Sequence, residues 1–337
     1  MLESRDGQRA HVSERGALPL LDAIRDGNAR ISVIGSMNAD YTVVASRLPK
    51  PGETINGGPL QLLPGGKSAN QAAASARLGA HVNMFGAVGD DSNAKFLLGH
   101  LQDAGVDVSH VLHLSGASGT TVITVDEHGE NTIVYSAGSN AKVSVEYVHE
   151  SQKELTSAPV LGLCLESPMK TVCECARICH EAGMQVLLND SPFVDHLPDE
   201  LIKHADILLV NEHEMAQLLH IDEPDNDDWL GIDWSEVARQ MQRFGFERAV
   251  VTLGADGCMV LDQGHATQVD AVTIDAVDTT GCGDAFMGTL LAGLSVGLEL
   301  VDCARLGSYV SGYAATGVGA QASYGTAEQI QERFQTQ

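Results

Sequence analysis

From Ile31 onward the sequence alternates short β-branched runs with helical stretches, and no other feature narrows the fold so far. ISVIG is followed by SANQAAASARLGA, and VNMFGAVG by AKFLLGHLQDAG. The same rhythm resumes with APVLGLCLES, KTVCECARICHEAG, MQVLLNDS, ADILLVNEHE and RAVVTLGADG. It predicts an α/β fold with a largely parallel sheet covered by helices. The rhythm fails in two places, residues 41–63 and 120–135, where strand-like residues and turn signals occur with no helix between them. These read as a separate small sheet. TTVITVD and NTIVYSA flank Glu127 to Glu130, and Gly129 suits the turn of a hairpin. A small sheet on a large α/β body predicts a lid over a ligand cleft.

Residues 30–337 form one domain on this reading, since 337 residues with 44% hydrophobic content supply one large core. Residues 1–29 are largely polar, with a short helix around Leu20 to Ile24 behind Pro19, and read as a flexible extension outside the core. The acidic segment Asp222 to Asp233 reads as a surface loop. A net charge of −25, from 45 acidic and 20 basic residues, argues against nucleic acid or an anionic membrane as partner. No apolar run reaches the roughly 20 residues of a membrane span, and the start of the chain lacks the pattern of a signal peptide, so a cytoplasmic protein is expected. Seven scattered cysteines read as reduced thiols. Cys175 and Cys179 share a helix face with metal-ligand spacing, although small buried residues are the commoner outcome there.

With so few basic residues, an anionic ligand needs backbone dipoles. The segment DTTGCGDAF, Asp278 to Phe286, supplies them: glycines opening an apolar helix let N–H groups converge on a phosphate. Asp284 at the mouth of this turn is placed to take a proton from an attacking hydroxyl, or it simply favours a helix N-terminus. GGKSAN, Gly65 to Asn70, is no P-loop, because Gln61 stands where that motif needs glycine. It reads as a turn that brings backbone close to a polar ligand, with Asn70 bonding hydroxyls. GSMNAD follows the first strand and puts Asn38 and Asp40 where open α/β sheets bind ligands, a pair suited to a polyol and equally common in plain turns. Asn211 and Glu214 after ADILLV offer oxygens to a hydrated Mg²⁺, or form an ordinary acidic helix start. Thr252 to Gly257 ends a strand with two glycines, where a nucleotide can lie against backbone.

Taken together and in this order, GSMNAD, GGKSANQA, LESP at 165–168, VNEHE at 210–214, TLGADG and DTTGCGD resemble the ribokinase-type carbohydrate kinase family, from about Ile31 to Arg333. The resemblance implies a Rossmann-like three-layer sandwich with a central mostly parallel sheet and a small β-sheet lid that forms a homodimer contact. It implies ATP, Mg²⁺ and K⁺ as cofactors and D-ribose as substrate, phosphorylated at its 5-hydroxyl. By resemblance Asp284 is the catalytic base, and Gly281, Cys282 and Gly283 form the anion hole. Asn38, Asp40, Gly66, Lys67, Asn70 and Glu166 match the positions that hold the sugar. Asn211, Glu214, Thr252, Gly254, Ala255, Asp256, Gly257, Gly283 and Ser308 match those near the nucleotide, with Glu214 reaching Mg²⁺ through water. Asp278, Thr280, Ala314, Gly317, Gly319 and Ser323 match the monovalent-cation loop, whose oxygen ligands are mostly backbone carbonyls.

The chain departs from the family at Cys282, where Ala is usual, at Ser68, where Gly is usual, and at Gly317, where a basic residue often sits. A thiol in the anion hole predicts sensitivity to oxidation. Competing functions are a kinase for another sugar or a nucleoside, and a sugar-binding regulator that has lost turnover. An oxidoreductase is disfavoured, because the residues after Gly281-Cys282-Gly283 lack dinucleotide-fingerprint spacing.

Overall fold

In a computed structural model, which describes residues 16–335, the predicted alternation builds one nine-stranded sheet. Its strands are β1 (Arg30–Ile34), β4 (His81–Val88), β5 (Asp107–His113), β8 (Val160–Leu163), β9 (Gln185–Asn189), β10 (Ile207–Asn211), β11 (Arg248–Thr252), β12 (Cys258–Asp262) and β13 (His265–Val269). They lie in the order β13-β12-β11-β10-β9-β8-β1-β4-β5, parallel except where β12 pairs with β11 and β13. Successive strand residues face opposite sides, which explains the all-apolar strands. Val250 of β11 packs into one buried cluster, and its neighbours Ala249 and Val251 into the other. Helices Lys67–Arg77, Cys282–Ser295 and Leu300–Ala314 cover the first face, and helices Met169–Glu181, Glu212–Leu219 and Trp234–Phe244 the second. The result is the expected three-layer sandwich.

The two segments that break the rhythm form the second sheet. It contains β2 (Asn38–Val44), β3 (Gln61–Gly65), β6 (Gly119–Val125) and β7 (Asn131–Ser136), in the order β3-β2-β6-β7. β6 and β7 are the predicted hairpin, closed over Gly129 at φ 86°.

The N-terminal segment corrects the sequence reading. Residues 1–15 lie outside the described residues, but residues 16–29 belong to the core. Helix Leu20–Asp26 turns Leu21 and Ile24 inward, both with no exposed surface, against helices Cys282–Ser295, Leu300–Ala314 and Ala327–Phe334. Arg25 bonds Glu328, and Gln331 donates to the Leu18 carbonyl and to Asp22. The polar flanks of this helix hid a short amphipathic face from a reading based on composition. Cys175 and Cys179 are buried, and among the described residues no group of three or more His, Cys, Asp or Glu side chains is arranged to hold a metal ion. No helix among them is long and apolar enough to cross a membrane.

Candidate active site

The site lies where the parallel strands end. β1 runs into the turn that carries Ser36 and leads to Asn38 at the start of β2, β8 leads to Glu166, and β10 and β11 end at Asn211 and Thr252. Gly66 caps the helix Lys67–Arg77 at φ 93°. A Cβ there would sit 2.8 Å from the Asn38 amide nitrogen and the Ser36 carbonyl, so only glycine permits this approach of the two turns. Glu166 ties them together, accepting from Ser36 Oγ and, at 2.9 Å, from the Lys67 amide.

Asn38 and Asp40 share β2 with side chains on one face of the second sheet. Asn140, which sequence reasoning missed, donates to Asn38 Oδ1 at 2.7 Å and also meets Tyr135 Oη. Asp40 pairs in register with Thr121 of β6, whose hydroxyl it accepts. Burial pushes the Asp40 carboxyl up to about 6, with Glu166 and Asp284 adding repulsion and the Thr121 hydrogen bond opposing. Lys67 is also sheltered. Burial works against its charge, but the Asp284 and Glu166 carboxylates outweigh it and the net shift is upward.

Asp284 stands in the first turn of helix Cys282–Ser295. Its two oxygens accept from Asn70 Nδ2 at 2.9 Å and Gln71 Nε2 at 3.1 Å, and Asn70 Oδ1 accepts from Gln321 Nε2 at 3.0 Å. Burial raises the Asp284 pKa, opposed by Lys67 and by the amide donors. Gln71 and Gln321 escaped the sequence reading, since an amide carries no spacing signal. Gly281 begins the helix at φ 78°, where an added Cβ would come within 2.6 Å of Tyr324 Oη. Tyr324 donates to the Gly281 carbonyl at 3.0 Å.

Behind this turn opens a cavity of about 510 Å³ lined by Thr252, Gly254, Ala255, Gly257, Gly283 and Ser308, with Phe286 and Ile274 as apolar wall. This brings together most of the residues expected near a nucleotide. Asp256 does not line it. Asn211 and Glu214 are drawn into a capping box instead: the Glu214 amide donates to Asn211 Oδ1 and the Asn211 amide to Glu214 Oε2, both at 2.8 Å. That use leaves Glu214 Oε1 outside the box. Burial raises the Glu214 carboxyl, and close by Asp190, fully buried and never singled out from sequence, is pushed up to about 7 by the same cause.

Cys282 also lines the cavity, its thiol donating to the Ser311 carbonyl at 3.5 Å. Burial, with Asp278 and Asp284 nearby, pushes the thiol up to about 11, which keeps it protonated at neutral pH. The predicted oxidation sensitivity loses its physical basis, because the thiolate is the reactive form. Residues expected to form a monovalent-cation loop also come together. Asp278 accepts from the Thr280 amide at 2.9 Å and the Gly319 amide at 2.8 Å, and a Cβ on Gly317 would sit 2.8 Å from Ser323 Cβ. These hydrogen bonds outweigh burial and lower the Asp278 pKa.

The family described as pfkB family carbohydrate kinase matches residues 28–327. The chain belongs to that family. The expected family and enzyme class, a carbohydrate kinase, are thereby borne out. The chain is 36% identical over 282 residues to a ribokinase of Schizosaccharomyces pombe, covering 81% of this chain and 87% of that one. It is 32% identical over 303 residues to a ribokinase of Haemophilus influenzae, covering 90% and 97%. Among solved structures, an Arabidopsis thaliana ribokinase complexed with ribose and ATP superposes with a TM-score of 0.81 at 28% identity, covering 90% of this chain and 98% of that one. A Thermotoga maritima ribokinase gives 0.79 at 27%, covering 92% and 100%.

Proposed function

We propose that the chain transfers the γ-phosphoryl group of ATP to the 5-hydroxyl of D-ribose, giving ribose 5-phosphate and ADP, with Asp284 as general base. The observation that carries this reading is the position of Asp284. It bonds Asn70 and stands close enough to Asp40 to raise that carboxyl, while its neighbour Gly283 lines the 510 Å³ cavity. Ribose is supported by the polar side chains gathered around Asp284, Asn70, Lys67, Glu166 and Asp40, and by curated relatives named ribokinase at 32% and 36% identity.

Asn38, Asp40, Gly66, Lys67, Asn70 and Glu166 would hold the sugar, their amides and carboxylates matching its hydroxyls. Thr252, Gly254, Ala255, Gly257, Gly283 and Ser308, which line the cavity, would hold the nucleotide. As the hydroxyl oxygen bonds to phosphorus and the bond to ADP breaks, the hydroxyl proton passes to Asp284. The backbone at Gly281, Cys282 and Gly283 and the dipole of a 14-residue helix stabilise charge on the moving group. Little else is needed, since phosphoryl transfer has a loose transition state. Lid closure over the sugar would keep water from the phosphate.

Mg²⁺ shields phosphate charge when bound, and Glu214 Oε1 fits a water-mediated hold on it. K⁺ would be held by oxygens of Asp278, Thr280, Ala314, Gly317, Gly319 and Ser323, an oxygen-only set suited to that ion. Val44, Val122, Ile133 and Val134, at 49–68% exposure on the lid, support a homodimer through this sheet. A cytoplasmic location agrees with seven free cysteines. The test is ADP release from MgATP with D-ribose, 2-deoxyribose, fructose, adenosine or uridine, with and without K⁺. Ribose should be turned over fastest and K⁺ should raise the rate. A higher rate with another acceptor contradicts the sugar assignment, and no turnover with any acceptor contradicts the kinase reading.

A further inference from the structure

We infer that Gln321 is a positioning residue for Asp284, acting through the side-chain amide of Asn70; this deepens the reading of Asp284 as general base and rests on it. The direction of each hydrogen bond follows from the carboxylate outward. An ionised Asp284 only accepts, so the group Asn70 presents to it must be its NH₂. That orientation turns Asn70 Oδ1 the other way, and an oxygen there needs a donor. Gln321 Nε2 supplies it at 3.0 Å, across 251 residues of sequence. Remove the donor and Asn70 Oδ1 is left buried without a partner, so the amide keeps only its bond to Asp284 and loses the second of the two hydrogen bonds that fix its plane.

The supports are rigid, and they belong to the cation loop. Asn70 is 7% exposed and Gln321 5%. Gln321 lies in the short helix Ala320–Ser323, whose cap Gly319 donates to Asp278 at 2.8 Å. Three residues on, Tyr324 donates to the Gly281 carbonyl. One six-residue segment, 319–324, thus touches Asp278, the glycine turn and the partner of the base. Any ligand that orders the Asp278 loop therefore acts on Asp284 through a direct chain of contacts rather than across open space.

Steady-state kinetics with MgATP and D-ribose test the inference. Gln321→Met keeps the length of the side chain and removes the donor, and should lower kcat about three- to tenfold, the scale of one hydrogen bond between neutral amides. The KM for ATP should stay at its wild-type value. In an Asn70→Ala background the same substitution should cost nothing further, because its route to Asp284 is already cut. Independent losses in the two backgrounds, an unchanged kcat, or a rise in the ATP KM matching the fall in kcat would each overturn the role. Gln321→Leu, which likewise has no donor and adds no titratable group, replaces Gln321→Met if that variant does not fold. The parent reading fails differently: Asp284→Asn at wild-type turnover removes the base itself, whereas an inactive Asp284→Asn beside a fully active Gln321→Met removes only the positioning role.

Discussion

Lowering the pH from 8 to 5 should raise the KM for the sugar about elevenfold through Asp40 alone. The carboxyl titrates at about 6, raised by burial and by the Glu166 and Asp284 charges. Its ionised fraction is about 99% at pH 8 and about 9% at pH 5, a ratio of about eleven if only the carboxylate accepts sugar hydroxyls. The sign follows from the direction of the shift. A carboxyl with a raised pKa loses its charge earlier as pH falls, so binding weakens below about 6 rather than near the ordinary value of 3.8. Initial rates over a range of D-ribose at pH 5, 6, 7 and 8, with ADP quantified directly, separate KM from kcat. Asp40→Asn is the control and should have a high, pH-independent KM. A flat wild-type KM across this range, or an equal rise in Asp40→Asn, refutes the role given to Asp40.

Leu21→Ala should destabilise the protein by about 2–5 kcal/mol in denaturant unfolding, the cost of truncating a fully buried leucine; a change under about 0.5 kcal/mol would mean that the N-terminal helix lies outside the core. Cys282, with its thiol at about 11, should resist iodoacetamide at neutral pH, as followed by peptide mass spectrometry. Alkylation within minutes, at the rate of free cysteine, would contradict the burial argument.

The sheet was legible because parallel strands must be apolar on both faces and helices must separate them, so the chain order of ISVIG, VNMFGAVG and ADILLV carries the topology. The second sheet was legible for the opposite reason, through β-branched runs joined without helices. Asn211 and Glu214 show where such reading stops. Their three-residue spacing suits a metal-facing pair and a capping box equally, and the coordinates put both side chains in the box. Contacts between distant residues left no trace. Thr121 reaches Asp40 only through the register of β2 and β6, and Gln321 reaches Asn70 only because two helices from opposite ends of the chain meet. The buried face of helix Leu20–Asp26 is two residues wide, too short for periodicity to reveal it.

The central claim, that Asp284 takes the proton as the sugar hydroxyl attacks ATP, is tested most directly by Asp284→Asn, with turnover on D-ribose and ATP affinity measured on the same preparation. The account predicts a loss of kcat of roughly 10²–10⁴-fold, with calorimetric ATP binding unchanged, since the glycine turn and its cavity are untouched. Turnover within a few-fold of wild type would contradict it.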